Sequence, residues 1–165
     1  MGRRSVKENK TVYQESREKL ELTRQEAAEL IGFLSADRIE KIESEKAVPY
    51  PEEVAAMAKA YKVPSLCNYY CTHTCRIGQE CVSEVQLKDL SLITLEMLNS
   101  LNRLSKEKER LVEIMVDGLI TEDEVADFRI IRRNLDEMQA SIESLKLWIN
   151  QMAAYGRIPD AVLED

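Results

Sequence analysis

The sequence predicts an all-α protein: a bundle of short helices, then a cysteine-rich joint, then a long antiparallel helical hairpin or coiled coil. Three observations carry that prediction. Helix breakers are few, 5 Gly and 4 Pro in 165 residues, while Glu, Lys, Leu and Ala dominate. Apolar residues recur at three- and four-residue spacing through most of the chain. The Gly, Pro, Ser and Thr that do occur fall between those runs, where caps and turns are needed. A chain of this length makes one medium domain or two small ones. Composition and spacing divide it into residues 1–65, a joint at 66–83, a hairpin at 84–156 and a tail at 157–165.

The first part reads as four short helices. Leu20 and Leu22 close an amphipathic stretch that begins near Thr11. Thr23 then caps RQEAAELIG, with Glu26 three residues on completing a capping box and Gly32 ending the helix. Ser35 caps ADRIEKIESEK, whose Ile39 and Ile42 lie on one side. After Pro49 and Pro51, EEVAAMAKAYKV forms a fourth helix with Val54, Met57, Ala58 and Tyr61 facing inward.

LTRQEAAELIG, a turn, RIEKIESEK and a Pro-led helix ending AKAYKVP together resemble the lambda-repressor-like helix-turn-helix of the Xre family. The likeness covers about residues 12 to 65, roughly a third of the chain. It implies that the second and third helices read double-stranded DNA. Carried over by position, it places Arg24 near phosphate at the start of the second helix. Ser35, Ala36, Asp37, Arg38 and Lys41 then lie on or near the groove-facing side of the third. Two features depart from the family pattern. GFLSADRIEKIE holds one more residue between Gly32 and Ile39, which alters the turn, and the third helix is acidic, with Asp37, Glu40, Glu43 and Glu45. Those carboxylates must point away from phosphate for the helix to bind DNA well. Arg3, Arg4, Lys7 and Lys10, clustered ahead of the first helix, supply basic help.

The hairpin is read from two apolar series. The first runs Leu87, Leu90, Met97, Leu101, Leu104, Leu111, Met115, interrupted at Thr94 and Lys108. The second runs Val125, Phe128, Ile131, Leu135, Met138, Ile142, Leu145, Ile149, Met152. The link DGLIT joins them, with Gly118 ending one helix and Thr121 to Glu124 forming a capping box for the next. The same link imitates half of an EF-hand loop, but Glu113 and Met115 would then hold the first and third ligand positions, and a thioether is a poor calcium ligand. Ile93, Leu98, Ile114, Ile130 and Trp148 fall outside the expected seam. A lone two-helix hairpin cannot bury that much apolar surface, so a homodimer through the hairpin is expected. A dimer also supplies two helix-turn-helix units to a two-fold symmetric operator.

LCNYYCTHTCRIGQECV holds all four cysteines and the single histidine. The spacing C-x3-C-x3-C-x5-C puts Cys67, Cys71 and Cys75 on one face if the preceding helix continues. The outer two are then about 12 Å apart, too far to share one zinc ion. A shared site therefore requires a break, for which Thr72, His73 and Thr74 are suited, and Arg76-Ile77-Gly78 is expected to turn the chain so that Cys81 returns. Cys67, Cys71, Cys75 and Cys81 are the candidate metal ligands, for zinc or for an iron–sulfur cluster, with His73 as a substitute and Tyr69 and Tyr70 shielding the site or packing beneath the hairpin. The layout is similar to that of iron–sulfur redox regulators, although those use two-residue gaps. A reversible thiol switch and plain packing of four buried cysteines are the other readings.

Lys+Arg and Asp+Glu number 12 each through Ser65, which leaves 11 against 18 in the remainder and places the whole net charge of −7 there. No apolar run approaches the roughly 18 to 20 residues of a membrane span, and MGRRSVKENK lacks a signal-peptide core, so a cytoplasmic protein is expected. Neither a glycine-rich phosphate loop nor a nucleophile turn is present, and an enzyme is not expected. The sequence points to a dimeric, DNA-binding transcription regulator whose cysteine site couples reading head to hairpin. The second reading is a protein-interaction adaptor with structural zinc and weak or no DNA binding.

Overall fold

The computed structural model describes residues 10–116 and 119–163. The basic arm residues Arg3, Arg4 and Lys7, and Gly118 of the hairpin link, lie outside them. Helices and turns account for the regular structure among the described residues, with no strand. The chain forms two compact units, one of Met1–Glu84 with Ile149–Asp165, the other of Val85–Trp148.

The first unit holds α1 (Val12–Lys19), α2 (Arg24–Ile31), α3 (Ala36–Glu43), α4 (Pro51–Ala60), α5 (Ser65–His73) and α6 (Arg76–Cys81). Local chemistry sets the helix ends. Thr11 and Ser35 accept from backbone N–H groups of the first turns of α1 and α3, Thr23 and Glu26 form a reciprocal capping box, and Gly32 ends α2 in the left-handed region at φ 86°. Ile39, Ile42, Val54, Met57, Ala58 and Tyr61 close over Ala27, Ala28, Leu34 and Leu66 in one core. The inward faces read from the sequence for α3 and α4 are therefore buried. Inside the same unit, the end of α8 is tied down: buried Gln151 donates from Nε2 to the carbonyl of Lys62 at 2.9 Å.

The second unit pairs α7 (Leu90–Ile114) with α8 (Val125–Ala154) up to Trp148. Arg103 meets Glu137 at 2.5 Å and Arg110 meets Asp127 at 2.6 Å, so the helices run antiparallel. Their seam differs from the expected one. Leu90, Leu101, Met115, Leu135 and Ile142 are exposed, whereas Ile93 and Ile114, set outside the seam on spacing, are fully buried with Ile131. Ser100, Asn134 and Ser141 are buried as well. The serines sit there without strain because each hydroxyl donates to the carbonyl four residues back, Ser100 to Glu96 and Ser141 to Glu137. The displaced leucines collect on one side. At about 100° per residue, Arg103, Arg110 and Glu137 line one flank of the pair, while Leu90, Leu98, Leu101 and Val112 of α7 and Leu135 and Ile142 of α8 line the other. One flank is bridged by ion pairs; the other is open and apolar.

The link also departs from expectation. Glu124 accepts from the backbone N–H and the hydroxyl of Thr121, but α8 begins only at Val125, so this bonded turn precedes the helix instead of capping it.

Candidate nucleic-acid interface and cysteine segment

Glu43 decides which side of α3 faces solvent. Its side chain is 1% exposed and holds two arginines: Arg17 through Nε at 2.5 Å, and Arg24 through Nε at 2.8 Å. Arg17 also donates to the carbonyl of Leu22. A buried carboxylate bonded to two guanidiniums keeps its full charge partnered. With Glu43, Ile39 and Ile42 turned inward, Asp37 and Lys41 are left on the outer surface, paired with each other at 2.7 Å one turn apart.

The six positions carried over from the family pattern thus divide. Ser35, Asp37 and Lys41 are exposed, and Ala36 is half-buried beside them; Ser35 spends its hydroxyl on the N–H of Arg38. Arg24 and Arg38 are held by carboxylates. Arg38 forks onto Glu53, 2.7 Å from each of its nitrogens Nε and Nη2, donates to the carbonyl of Val48 and lies over the Tyr50 ring. The bond from Arg38, seconded by the Tyr50 N–H, holds the Glu53 carboxyl below the usual range. Of the acidic residues of α3, Glu40 is engaged by Lys46 at 2.9 Å and only Asp37 remains fully on the outer surface. The extra residue of the turn is absorbed by Phe33 and Leu34: Leu34 enters the core, and Phe33 projects into solvent, 61% exposed. The Glu43 and Glu53 clamps are absent from the sequence reading, because they join residues 26 and 15 positions apart.

The helix breaks at the cysteine run where poor helix formers predict it. Thr74 ends α5 and Cys75 precedes α6. Arg76, Ile77 and Gly78, expected as a turn, are helical instead. Gly78 serves close approach: a Cβ there would stand 2.2 Å from the Cys71 carbonyl oxygen, so α6 lies directly on the α5 backbone. Cys67 and Cys71 ride on α5, Cys75 stands at the start of α6 and Cys81 at its end, all as free thiols. Cys67 is exposed as a residue, yet desolvation of its thiol and, after it, the neighbouring Cys71 push its pKa up.

Among the described residues no three His, Cys, Asp or Glu side chains come together to hold a metal ion. Zinc needs donors about 2.0 to 2.3 Å from the ion on all sides; four thiols spread over two helices do not fit zinc or an iron–sulfur cluster in this arrangement. His73 is engaged elsewhere, stacked on Tyr69 at 4.2 Å with Nδ1 3.1 Å from the Tyr69 carbonyl. Tyr69 also meets Tyr13 edge-on, and Tyr69 and Tyr70 pack against the core of the first unit.

Residues 14–68 match a family model described as a helix-turn-helix domain. Comparison with curated proteins and with solved structures gave no match. No helix among the described residues is long and apolar enough to cross a membrane.

Proposed function

We propose that this chain is a sequence-specific DNA-binding transcriptional regulator acting as a homodimer through its helical hairpin. The observation that carries the reading is the orientation of α3 within the helix-turn-helix: Glu43 anchors one side, Asp37 and Lys41 are presented on the other, and Ser35 and Asp37 stand at the N-terminal end that enters a major groove in such motifs. Two of the four acidic residues that argue against DNA on charge alone are engaged within the fold, Glu43 by Arg17 and Arg24 and Glu40 by Lys46. The open apolar flank of the hairpin supports the dimer, since a second copy laid against it makes a four-helix bundle.

The cysteine segment stands in this proposal as a thiol-bearing joint. A zinc ion or iron–sulfur cluster would need its four sulfurs regathered. Metal analysis of protein purified without oxygen tests the point: free thiols without zinc or iron agree with the observed packing, and about one ion per chain requires the sulfurs to be brought together.

Selection of bound sequences from a random duplex pool tests the function. The expected result is one enriched site with two-fold symmetry, bound with a steep salt dependence. Lys41→Ala should then lower affinity and reduce the salt slope by about 1, and Asp37→Asn should raise affinity. No enriched sequence and no salt-dependent binding would leave the protein-interaction adaptor as the better account.

A further inference from the structure

A helix places side chains four residues apart on one face, with Cβ atoms about 5–6 Å from each other. Cys67 and Cys71 both lie within α5 and stand in that relation. Cys75 does not continue it. Thr74 ends the helix and the backbone at Cys75 is extended, which takes Cys75 off the α5 register, and Cys81 closes α6. The four thiols thus separate into one helical pair and two single residues. Cys67 is exposed and Cys71 half-buried, so the pair is open to solution. Its members sense each other: after burial, the charge of Cys71 is what pushes the Cys67 thiol up.

Distance and donor number select what such a pair can hold. A disulfide needs Cβ atoms about 3.5–4.5 Å apart, closer than one helical turn brings them, so the two sulfurs do not bond directly while α5 stays helical. A bridging metal ion adds the missing length. At about 2.3 Å per metal–sulfur bond, a linear sulfur–metal–sulfur unit sets its sulfurs about 4.6 Å apart, within reach of side chains on successive turns. Among the described residues no third His, Cys, Asp or Glu completes a larger donor set, and His73 is stacked on Tyr69 with Nδ1 at the Tyr69 carbonyl. Zinc in a structural site takes four donors, and calcium takes six or more oxygens, so two thiols satisfy neither. Copper(I) is soft, prefers thiolate, and forms stable linear complexes with two of them. We propose that Cys67 and Cys71 form a two-thiolate site for a soft monovalent metal cation of the copper(I) class. Each thiol releases its proton as its sulfur binds, so a filled site frees two protons and carries one net negative charge. The site does not rest on the DNA-binding reading; it gives the thiol-bearing joint a ligand of its own.

Anaerobic titration of the full chain with copper(I), in competition with a coloured copper(I) chelator, provides the test. The chain should withdraw about one ion from the chelator, with unchanged circular dichroism because α5 need not unwind. C75S and C81S should bind as the wild type does. C67S and C71S should each cost about 100-fold or more in affinity, beyond what losing a ligand's supporting hydrogen bond costs. A second reading needs no variant: one equivalent of copper(I) should shield Cys67 and Cys71 of the wild type from alkylation and leave Cys75 and Cys81 reactive, as read by mass spectrometry. A chain that withdraws no copper(I) overturns the site. Equal losses in all four serine variants, or shielding of all four thiols, overturn the pair and mean that the sulfurs gather into one cluster.

Discussion

Glu43 concentrates the energetics of the first unit in one carboxylate. It is shared by Arg17, itself almost buried, and by Arg24 at the start of α2. Glu43→Ala leaves the Arg17 guanidinium buried without its partner, and breaking such a pair costs about 3–5 kcal/mol. Urea denaturation followed by circular dichroism should show the midpoint falling accordingly; a loss under about 1 kcal/mol would mean that water reaches Arg17 and that the clamp does not orient α3. The Arg38–Glu53 pair adds a pH dependence whose sign is definite. Arg38 holds the folded-state pKa of Glu53 below the ordinary 4.5, so the unfolded chain takes up its proton first as pH falls. The stabilisation is therefore present above the ordinary value and lost as pH drops through the depressed one. Melting temperatures taken between about pH 6 and pH 3 should fall less steeply for Glu53→Gln than for the wild type. At this scale the sequence revealed only what is local. Thr23, Glu26, Gly32 and Ser35 cap helices because a cap depends on residues within one turn, and all four are legible. Nothing in a linear pattern pairs Arg17 with a glutamate 26 residues later, so Glu43 reads as an obstacle to DNA when it is part of the core.

Between elements, the packing of α6 on α5 depends on one missing side chain. Gly78→Ala drives a Cβ to 2.2 Å of the Cys71 carbonyl oxygen, a backbone atom that cannot step aside, so α6 must lift off or α5 must bend. Timed alkylation of the full chain, read by mass spectrometry, should show Cys71 and Cys75 reacting several-fold faster in G78A, with Cys81 unchanged. Equal rates at all four thiols in both proteins would mean that α6 is already detached in solution. Cys67 should remain slow near neutrality in either protein and accelerate with rising pH, because its raised pKa keeps the nucleophilic thiolate scarce. Here the sequence was half legible. Weak helix formers locate the break near Thr74, but Gly78 reads as a turn residue when it sits inside α6 and serves contact. The hairpin shows the same limit in another form. Leu90, Leu98 and Leu101 and buried Ile93 spread apolar residues over more than one side of α7, and periodicity ranks no side above another. Small, internally bonded Ser100 and Ser141 fill the seam inside the chain and leave the leucines outside it.

For the whole molecule, those leucines make a quantitative demand. Leu98 is 52% exposed, Leu101 47%, Leu135 46% and Ile142 41%, all on the flank that no ion pair crosses, and a contiguous apolar strip of that kind marks an interface. In the homodimer proposed above, a two-fold axis through the strip would set like against like, α7 and α8 of one copy on the same pair of the other. Leu98→Glu with Leu101→Glu places two carboxylates where each copy expects a leucine, yet disturbs little within a single chain, because both side chains already stand in solvent there. Sedimentation equilibrium should therefore give twice the chain mass for the wild type and one chain mass for the double variant, with unchanged helix content. DNA binding is the more telling readout. A dimer binds its second half-site at the effective concentration set by the first, so a monomerised variant should lose about 100-fold or more of its operator affinity while each head stays folded. A monomeric wild type, or a variant that separates without losing affinity, would detach the hairpin from DNA recognition altogether.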